Sequence, residues 1–324
     1  MMRFLSAAAL LIAAPAAAQA PAGAGPAETV LTVPGPRAPL AGTLLAPPGA
    51  AAVVVIIPGS GPTDRDGNNP PGGIRAQPYK LLAEGLAARG IASVRIDKRG
   101  LFGSAAAIPD PNAVTIADYA ADARAWAGAA ARATGRKCAW IAGHSEGGLV
   151  ALAAMASPAP EICGLILLAT PGRRMGLVIR DQLRANPANA LLLPQAEAAL
   201  TKLEAGQRVD VEGQHPAVQQ LFNPALQGYW INLLAQDPAA EIARVTAPVL
   251  IVQGGRDLQV SEGDARALAA AQPAARLVLL PQANHVLKPV GPTRDSNIAA
   301  YRDPALPLDP ALVPAIADFV RQAR

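Results

Sequence analysis

The chain has 324 residues, of which 51% are hydrophobic and 16% are charged, so it can bury a large core and does not have the composition of a disordered protein. Its formal net charge is +4, but aromatic residues make up only 3% and no basic run with interleaved aromatics occurs, which argues against nucleic-acid binding. Apart from the start of the chain, no apolar run approaches the length of a membrane-spanning helix.

Residues 1–20 have the features of a secretory signal peptide. Arg3 is followed by an apolar run over residues 4–14, and residues 18–20 read Ala-Gln-Ala, which matches the small-residue pattern of a cleavage site. The sequence therefore predicts a signal peptide that is cleaved before Pro21. It also predicts an exported protein, either periplasmic or secreted.

The chain contains two cysteines, Cys138 and Cys163. They stand at the starts of two segments that we expect to be neighbouring strands. An oxidising compartment would permit a disulfide between them, and two buried free thiols are the alternative. Neither cysteine has a further cysteine pair or a histidine at zinc-ligand spacing, so no metal site is expected.

Strand-like and helix-like segments alternate along most of the chain. The predicted strands cover residues 29–33, 40–45, 52–57, 91–96, 138–142, 164–169, 249–252 and 276–280. The predicted helices cover residues 78–89, 115–133, 149–156, 261–271 and 310–321, the last of them starting with a proline. This alternation predicts an α/β fold with a doubly wound, mostly parallel sheet of about eight strands.

The alternation stops between residues 171 and 245. Helical spacing occurs there over residues 177–183, 195–203 and 229–234, with prolines between these segments. A structureless loop of that length is improbable inside a compact domain, so this part is interpreted as an inserted helical cap. The sequence thus predicts a signal peptide (1–20), a core (21–170 and 246–324) and a cap (171–245).

Residues 143–148 read Gly-His-Ser-Glu-Gly-Gly between a predicted strand and a predicted helix. This is the context of a nucleophile elbow, in which Gly143 and Gly147 leave room for a tight turn and the Ser145 hydroxyl points out of the sheet. The Glu146 N–H opens the following helix and is the expected first donor to an oxyanion. A chance glycine-rich turn is the alternative.

A nucleophilic serine needs a base, and the base needs an acceptor that orients it. Of the three histidines, His144 precedes Ser145 and is expected to point away from it, and His215 lies in the predicted cap. His285 follows the last predicted strand, and Asp257 follows the strand before it. The chain order of serine, acid and histidine therefore selects Asp257 as the acid and His285 as the base.

The loop that follows the third predicted strand is rich in glycine and proline. We expect the second oxyanion donor from this loop, in the first place the Ser60 N–H, with the N–H groups of Gly59 and Gly61 as alternatives. The charged residues 64–66 are expected to pair with one another or with Arg99, and a solvated turn is the alternative.

Taken together, these motifs resemble those of secreted bacterial serine hydrolases of the α/β-hydrolase superfamily, from the group of esterase, lysophospholipase-like and serine-aminopeptidase-like proteins. The matching segments are residues 58–68, 97–100, 143–148, 254–257 and 284–285. The chain departs from the lipases of this superfamily in the oxyanion loop, where Pro58-Gly59 replaces their His-Gly.

The leading hypothesis is a carboxylester hydrolase that acts on a small-molecule ester through Ser145, His285 and Asp257, without metal or organic cofactor. One alternative is an exopeptidase or amidase on the same triad, in which a cap glutamate, Glu197, Glu204 or Glu212, binds a chain terminus. Another is a small-molecule-binding protein that has kept the fold and lost turnover. The apolar content of the cap predicts an uncharged, moderately apolar substrate.

Overall fold

The computed structural model describes residues 26–322, so the predicted signal peptide, residues 1–20, lies outside the described part of the chain. The strands are β1 (Glu28–Val33), β2 (Leu40–Leu45), β3 (Val53–Ile57), β4 (Ala92–Ile96), β5 (Ala139–His144), β6 (Ile162–Leu168), β7 (Val249–Gly254) and β8 (Arg276–Leu280). They form one sheet of eight strands in the order β1-β2-β4-β3-β5-β6-β7-β8.

The sheet is parallel from β4 to β8 and antiparallel only where β1 meets β2 and β2 meets β4. This confirms the predicted doubly wound, mostly parallel sheet of eight strands. The order also places β3 between β4 and β5, so the carboxyl ends of these three strands lie side by side. Ligand sites in such sheets occur at this edge.

Eleven α-helices occur within residues 26–322. They are α1 (Pro78–Ala87), α2 (Ile116–Thr134), α3 (Glu146–Ala154), α4 (Met175–Arg184), α5 (Leu193–Glu204), α6 (Pro216–Leu221), α7 (Gln227–Leu234), α8 (Pro238–Ile242), α9 (Glu262–Ala271), α10 (Arg294–Ala300) and α11 (Leu312–Gln322). Three of them, α6, α8 and α10, were not predicted, because helices of five to seven residues are too short to show a clear 3.6-residue period.

Helices cover both faces of the sheet. Alternate residues of β3 enter two separate hydrophobic cores, with Val55 in the core that contains Trp126 of α2 and Val54 in the core that contains Leu82 of α1. Because successive side chains of a strand point to opposite faces, a run of buried valine and isoleucine is what a strand covered on both faces requires.

Five helices, α4 to α8, connect β6 to β7. Their side chains join the core on the α2 face, which includes Leu200 of α5 and Leu233 of α7. At the end of the chain, the prediction of a helix starting at Pro310 was wrong by two residues. The Asp309 carboxylate accepts the Ala311 N–H, so Pro310 lies in the turn that precedes α11.

Cys138 and Cys163 form a disulfide with their Cα atoms 5.3 Å apart. The sequence left open a disulfide or two free thiols, and the structure has the disulfide. It joins the starts of β5 and β6, at the opposite end of the strands from the carboxyl edge. Within the part of the chain that is described, no helix is long and apolar enough to cross a membrane, and no cluster of three or more His, Cys, Asp or Glu could hold a metal.

Candidate active site

Ser145 lies in the turn between β5 and α3 with a φ of 54° and a ψ of −121°, a conformation that is rare for a residue with a side chain. The flanking glycines make this turn possible. A Cβ on Gly143 would lie 2.2 Å from the Gly147 carbonyl oxygen, and a Cβ on Gly147 would lie 2.5 Å from that of Ile57. The Ser145 N–H donates to the Leu168 carbonyl at 2.8 Å. The motif therefore forms the strained strand-to-helix turn that its spacing predicts.

Asp257 and His285 meet after β7 and β8. The Nδ1 atom of His285 lies 2.8 Å from Asp257 Oδ2, and the Asp257 side chain is fully buried. The other carboxylate oxygen accepts the N–H groups of Gln259 at 2.7 Å and Val260 at 3.0 Å. Gln253 Nε2 donates to Oδ2 at 3.3 Å. These donors fix the orientation of the carboxylate.

Ser145 and His285 line the same cavity, of about 210 Å³. Within residues 26–322 no hydrogen bond joins the Ser145 hydroxyl to the His285 ring. Because Nδ1 of His285 faces Asp257, its other ring nitrogen, Nε2, is the one available to a proton of the serine or of a ligand. Hydrogen bonds between catalytic groups often tighten only when substrate binds.

The candidate oxyanion donors differ in their availability. The Gly59 N–H donates to the Tyr79 hydroxyl at 3.1 Å, so it is already used. The N–H groups of Ser60, Gly61 and Glu146 have no acceptor among the described residues, and all three residues line a second cavity together with Ser145. Ser60 also lines the cavity that contains His285, whereas Gly61 does not. The geometry thus favours Ser60 over Gly61 as the partner of Glu146.

His144, the residue before Ser145, is fully engaged elsewhere. Its Nδ1 lies 2.8 Å from the Tyr79 hydroxyl and its Nε2 lies 2.8 Å from the His285 carbonyl oxygen. Burial lowers the pKa of His144 to about 3, so the ring is neutral. Its Nε2–H therefore donates to the His285 carbonyl, and its Nδ1 accepts the Tyr79 O–H. His144 connects the histidine loop to Tyr79 and is not available as a base.

Glu146, the residue after Ser145, pairs with Lys98. Lys98 Nζ lies 3.1 Å from Glu146 Oε1 and 2.7 Å from the Gly59 carbonyl oxygen, and both side chains are buried. Gly59 is therefore held at its carbonyl by Lys98 and at its N–H by Tyr79. Lys98 also binds Glu146, and Tyr79 also binds His144, and these two partners are the sequence neighbours of Ser145. The residues on either side of the serine thus determine the position of the oxyanion loop.

Several residues of this network were missed by the sequence reasoning. Tyr79 showed only helical spacing, and Lys98 only its place in the segment 97–100. Asn297 of α10 gave no signal, although its Nδ2 donates to the Arg256 carbonyl at 2.6 Å and its own carbonyl accepts from Asn284 Nδ2 at 3.3 Å. Asn297 thereby ties together the loops that carry the candidate acid and the candidate base.

The side chains of residues 64–66 form no ion pair with one another or with Arg99, contrary to the prediction. The Asp66 N–H does donate to the Asp64 carboxylate, at 2.9 Å. Arg65 Nε donates to the buried Asp97 at 3.0 Å. The Arg99 side chain turns instead toward α2, where its Nε donates to Asp122 at 2.6 Å. The difference arises because Asp97 follows β4, the neighbour of β3 in the sheet, and so lies beside the oxyanion loop.

Two cavities meet at Ser145, and they differ in size and polarity. The first, which we call the cap cavity, has a volume of about 420 Å³ and contains Glu146. Its apolar lining comes largely from α4, α6 and α7, and includes Val178, Ile179, Leu183, Leu221, Trp230 and Leu233. The second, which we call the histidine cavity, is the one of about 210 Å³ that contains His285. Its polar lining includes Thr63, Asn69, Gln259 and Tyr301.

Known proteins resemble this chain in sequence. Esterase EstD of Thermotoga maritima is 30% identical over 234 residues, which make up 69% of this chain and 52% of that protein. The chain thus spans about half the length of that relative. The aligned part includes most of the described residues.

Solved structures resemble this chain in fold. A hydrolase from Pseudomonas aeruginosa PA01 superposes with a TM-score of 0.54 at 20% identity, covering 90% of this chain and 98% of that one. Proline iminopeptidase of Mycobacterium smegmatis superposes with a TM-score of 0.58 at 16% identity, covering 91% and 98%.

A protein-family model matches a long continuous part of the chain. A model described as serine aminopeptidase, S33, matches residues 73–288, which is more than half of the chain and includes Ser145, Asp257 and His285. Together with the sheet order and the nucleophile elbow, this match assigns the fold and the family. The chain belongs to the α/β-hydrolase family that this serine aminopeptidase, S33, model defines.

Proposed function

We propose that the protein is a serine hydrolase that cleaves carboxylic esters through an acyl-enzyme on Ser145, His285 and Asp257. One observation carries the proposal: the His285 ring, oriented by the buried Asp257 carboxylate at 2.8 Å, lines the same cavity as the strained elbow serine. The relative from Thermotoga maritima is named an esterase, which supports the choice of esters over other acyl substrates.

In the proposed reaction, Ser145 Oγ attacks the carbonyl carbon of the ester while its proton passes to His285 Nε2. The carbon–oxygen bond to the alcohol then breaks, and the same proton moves from Nε2 to the departing oxygen. A water molecule, deprotonated by His285, hydrolyses the acyl-enzyme and regenerates Ser145. Asp257 keeps the imidazole in the required tautomer and stabilises its protonated form.

The negative charge that develops on the carbonyl oxygen would be bound by the N–H groups of Ser60 and Glu146. Both groups lack an acceptor among the described residues and adjoin Ser145. The N terminus of α3 adds the partial positive charge of its unpaired N–H groups. Such donors act mainly on the transition state, and the loss of one costs roughly 10²–10³ in kcat in other enzymes.

An exopeptidase or amidase is the second candidate function, because the family model carries the description of an aminopeptidase. That function needs a free cap carboxylate near the elbow serine, but Glu212 is exposed and lines neither cavity, and the other two candidate glutamates are paired. Glu204 pairs with Arg180 at 2.6 Å, and Glu197 pairs with Arg184 at 2.6 Å, near the protein surface. These glutamates are therefore occupied in salt bridges between cap helices.

A comparison of aryl esters with aminoacyl anilides tests the proposal. We expect ester hydrolysis to exceed anilide hydrolysis, and the Ser145→Ala variant to lose ester hydrolysis by at least about 10⁴-fold while it remains folded. Labelling of Ser145 by a fluorophosphonate would separate an activated serine from a protein that only binds small molecules. Full activity of Ser145→Ala, or the absence of labelling, would contradict the proposal.

We further propose that the protein is exported and is processed before Pro21. The Ala-Gln-Ala pattern of residues 18–20 and the disulfide between Cys138 and Cys163 support this, because structural disulfides persist in oxidising compartments. The N-terminal sequence of the protein recovered from a periplasmic or culture fraction tests it. A chain that stays in the cytoplasm with Met1 retained would contradict export.

A further inference from the structure

The two cavities at Ser145 are not equivalent with respect to the candidate base. His285 lines only the histidine cavity, whereas Ser145, Ser60 and Gln259 line both cavities. The reacting carbonyl must lie at Ser145, beside the Ser60 N–H, and so at the boundary between the two spaces. The two substituents of that carbonyl must therefore extend in different directions.

Proton transfer decides which substituent enters which cavity. The departing oxygen receives its proton from His285 Nε2, so it must lie within hydrogen-bonding distance of that atom. The histidine cavity is the one that provides this position. The group attached to the departing oxygen then extends into the histidine cavity, and the acyl chain extends into the cap cavity.

Size and polarity specify the two groups. The cap cavity, at about 420 Å³, has twice the volume of the histidine cavity, and its lining is dominated by aliphatic and aromatic side chains. The histidine cavity presents hydrogen-bonding side chains instead. Tyr301 there accepts a hydrogen bond from Gln259 Nε2 at 3.1 Å and has its own O–H to donate. A compact alcohol with a further polar group suits this space, and a long alkyl alcohol does not.

We propose that the preferred substrates are esters that join an apolar acyl chain of several carbons to a small, polar alcohol. The acyl chain binds in the cap cavity and the alcohol in the histidine cavity. This inference rests on the proposed ester hydrolysis, and it excludes the reverse arrangement, in which a short acyl group is joined to a long apolar alcohol.

Two series of esters, measured by titration of the released acid at constant pH, test the assignment. One series extends the acyl chain of 2-hydroxyethyl esters from acetate to decanoate, and the other extends the alcohol of acetate esters from ethanol to decanol. We expect kcat/KM to rise by roughly fourfold per methylene in the first series until the cap cavity is filled. We expect no rise in the second series. A rise in the second series with none in the first would overturn the inference.

Two matched variants assign the cavities. Leu226 and Ile74 are half-buried, and they line the cap cavity and the histidine cavity respectively. The Leu226→Trp variant should shorten the optimal acyl chain and leave the response to the alcohol unchanged. The Ile74→Trp variant should lower kcat/KM for the larger alcohols and leave the acyl optimum unchanged. An exchange of these two effects would contradict the inference.

The wild-type result separates this inference from the proposed function. If Ser145 is labelled by a fluorophosphonate and esters are hydrolysed with the reverse preference, only the assignment of the cavities is wrong. If no ester of either series is hydrolysed and Ser145 is not labelled, the proposed function is wrong and this inference falls with it.

Discussion

The hydroxyl of Tyr79 is the most informative single atom to remove, because it links the oxyanion loop to His144. It accepts the Gly59 N–H at 3.1 Å and donates to His144 Nδ1 at 2.8 Å, and burial raises the pKa of this hydroxyl, which keeps it protonated. The Tyr79→Phe variant keeps the ring and its packing. It leaves one buried donor and one buried acceptor without a partner.

We expect this substitution to lower both the free energy of unfolding and kcat. Each unpaired buried group costs about 1–3 kcal/mol, so the free energy of unfolding should fall by about 2 kcal/mol or more. Gly59 would still be held by Lys98 at its carbonyl, so the loop shifts without unfolding. We expect a loss in kcat of about tenfold, which corresponds to about 1.4 kcal/mol of transition-state stabilisation, with KM nearly unchanged.

Steady-state ester hydrolysis and denaturant unfolding measure both effects. Tyr119→Phe is the matched control, because Tyr119 is also buried and its hydroxyl makes no hydrogen bond within residues 26–322. The affinity for a boronic acid that mimics the tetrahedral intermediate should fall in parallel with kcat in Tyr79→Phe. If Tyr79→Phe loses stability but keeps its kcat and its affinity for the boronic acid, the network does not position the oxyanion loop.

Three further predictions concern Asp257, His144 and the disulfide between Cys138 and Cys163. The Asp257→Asn variant should lower kcat by about 10⁴-fold in steady-state assays, because an amide cannot hold the same tautomer of the His285 imidazole. Circular dichroism should show that the fold is intact. Near wild-type activity would contradict the assignment of Asp257 as the acid. Between about pH 3 and 6.5 the unfolded chain binds a proton at His144 that the folded chain does not, so the free energy of unfolding should fall as the pH falls. The His144→Asn variant should remove about 1.4 kcal/mol per pH unit from that slope, measured by denaturant titration at several pH values. An unchanged slope would show that His144 titrates normally. The double variant Cys138→Ala, Cys163→Ala opens a loop with a sequence separation of 25 and should lose about 3.5 kcal/mol of stability by chemical denaturation. Because the disulfide lies at the opposite end of the strands from Ser145, kcat should change little, and a large loss of kcat at a temperature where the variant is folded would contradict this prediction.

Much of the core was predictable because its signals are local. The buried run of β3 and the glycines around Ser145 each act over a few neighbouring positions, where side-chain periodicity and backbone sterics are readable. The chain order of Ser145, Asp257 and His285 was equally visible. Parallel strands must bring their carboxyl ends to the same edge, so this order selects the candidate members of the site.

The partners of these residues were not predictable in the same way. Tyr79 and His144 are 65 positions apart, and His144 and the His285 carbonyl are 141 positions apart, so no periodic pattern records their contacts. They meet because β3 is adjacent to β5 in the sheet, and the segments that follow β3, β5 and β8 all lie at its carboxyl edge. The same folding places His285 at one of the two cavities and not the other, since a cavity is the space left between elements and no single segment encodes it.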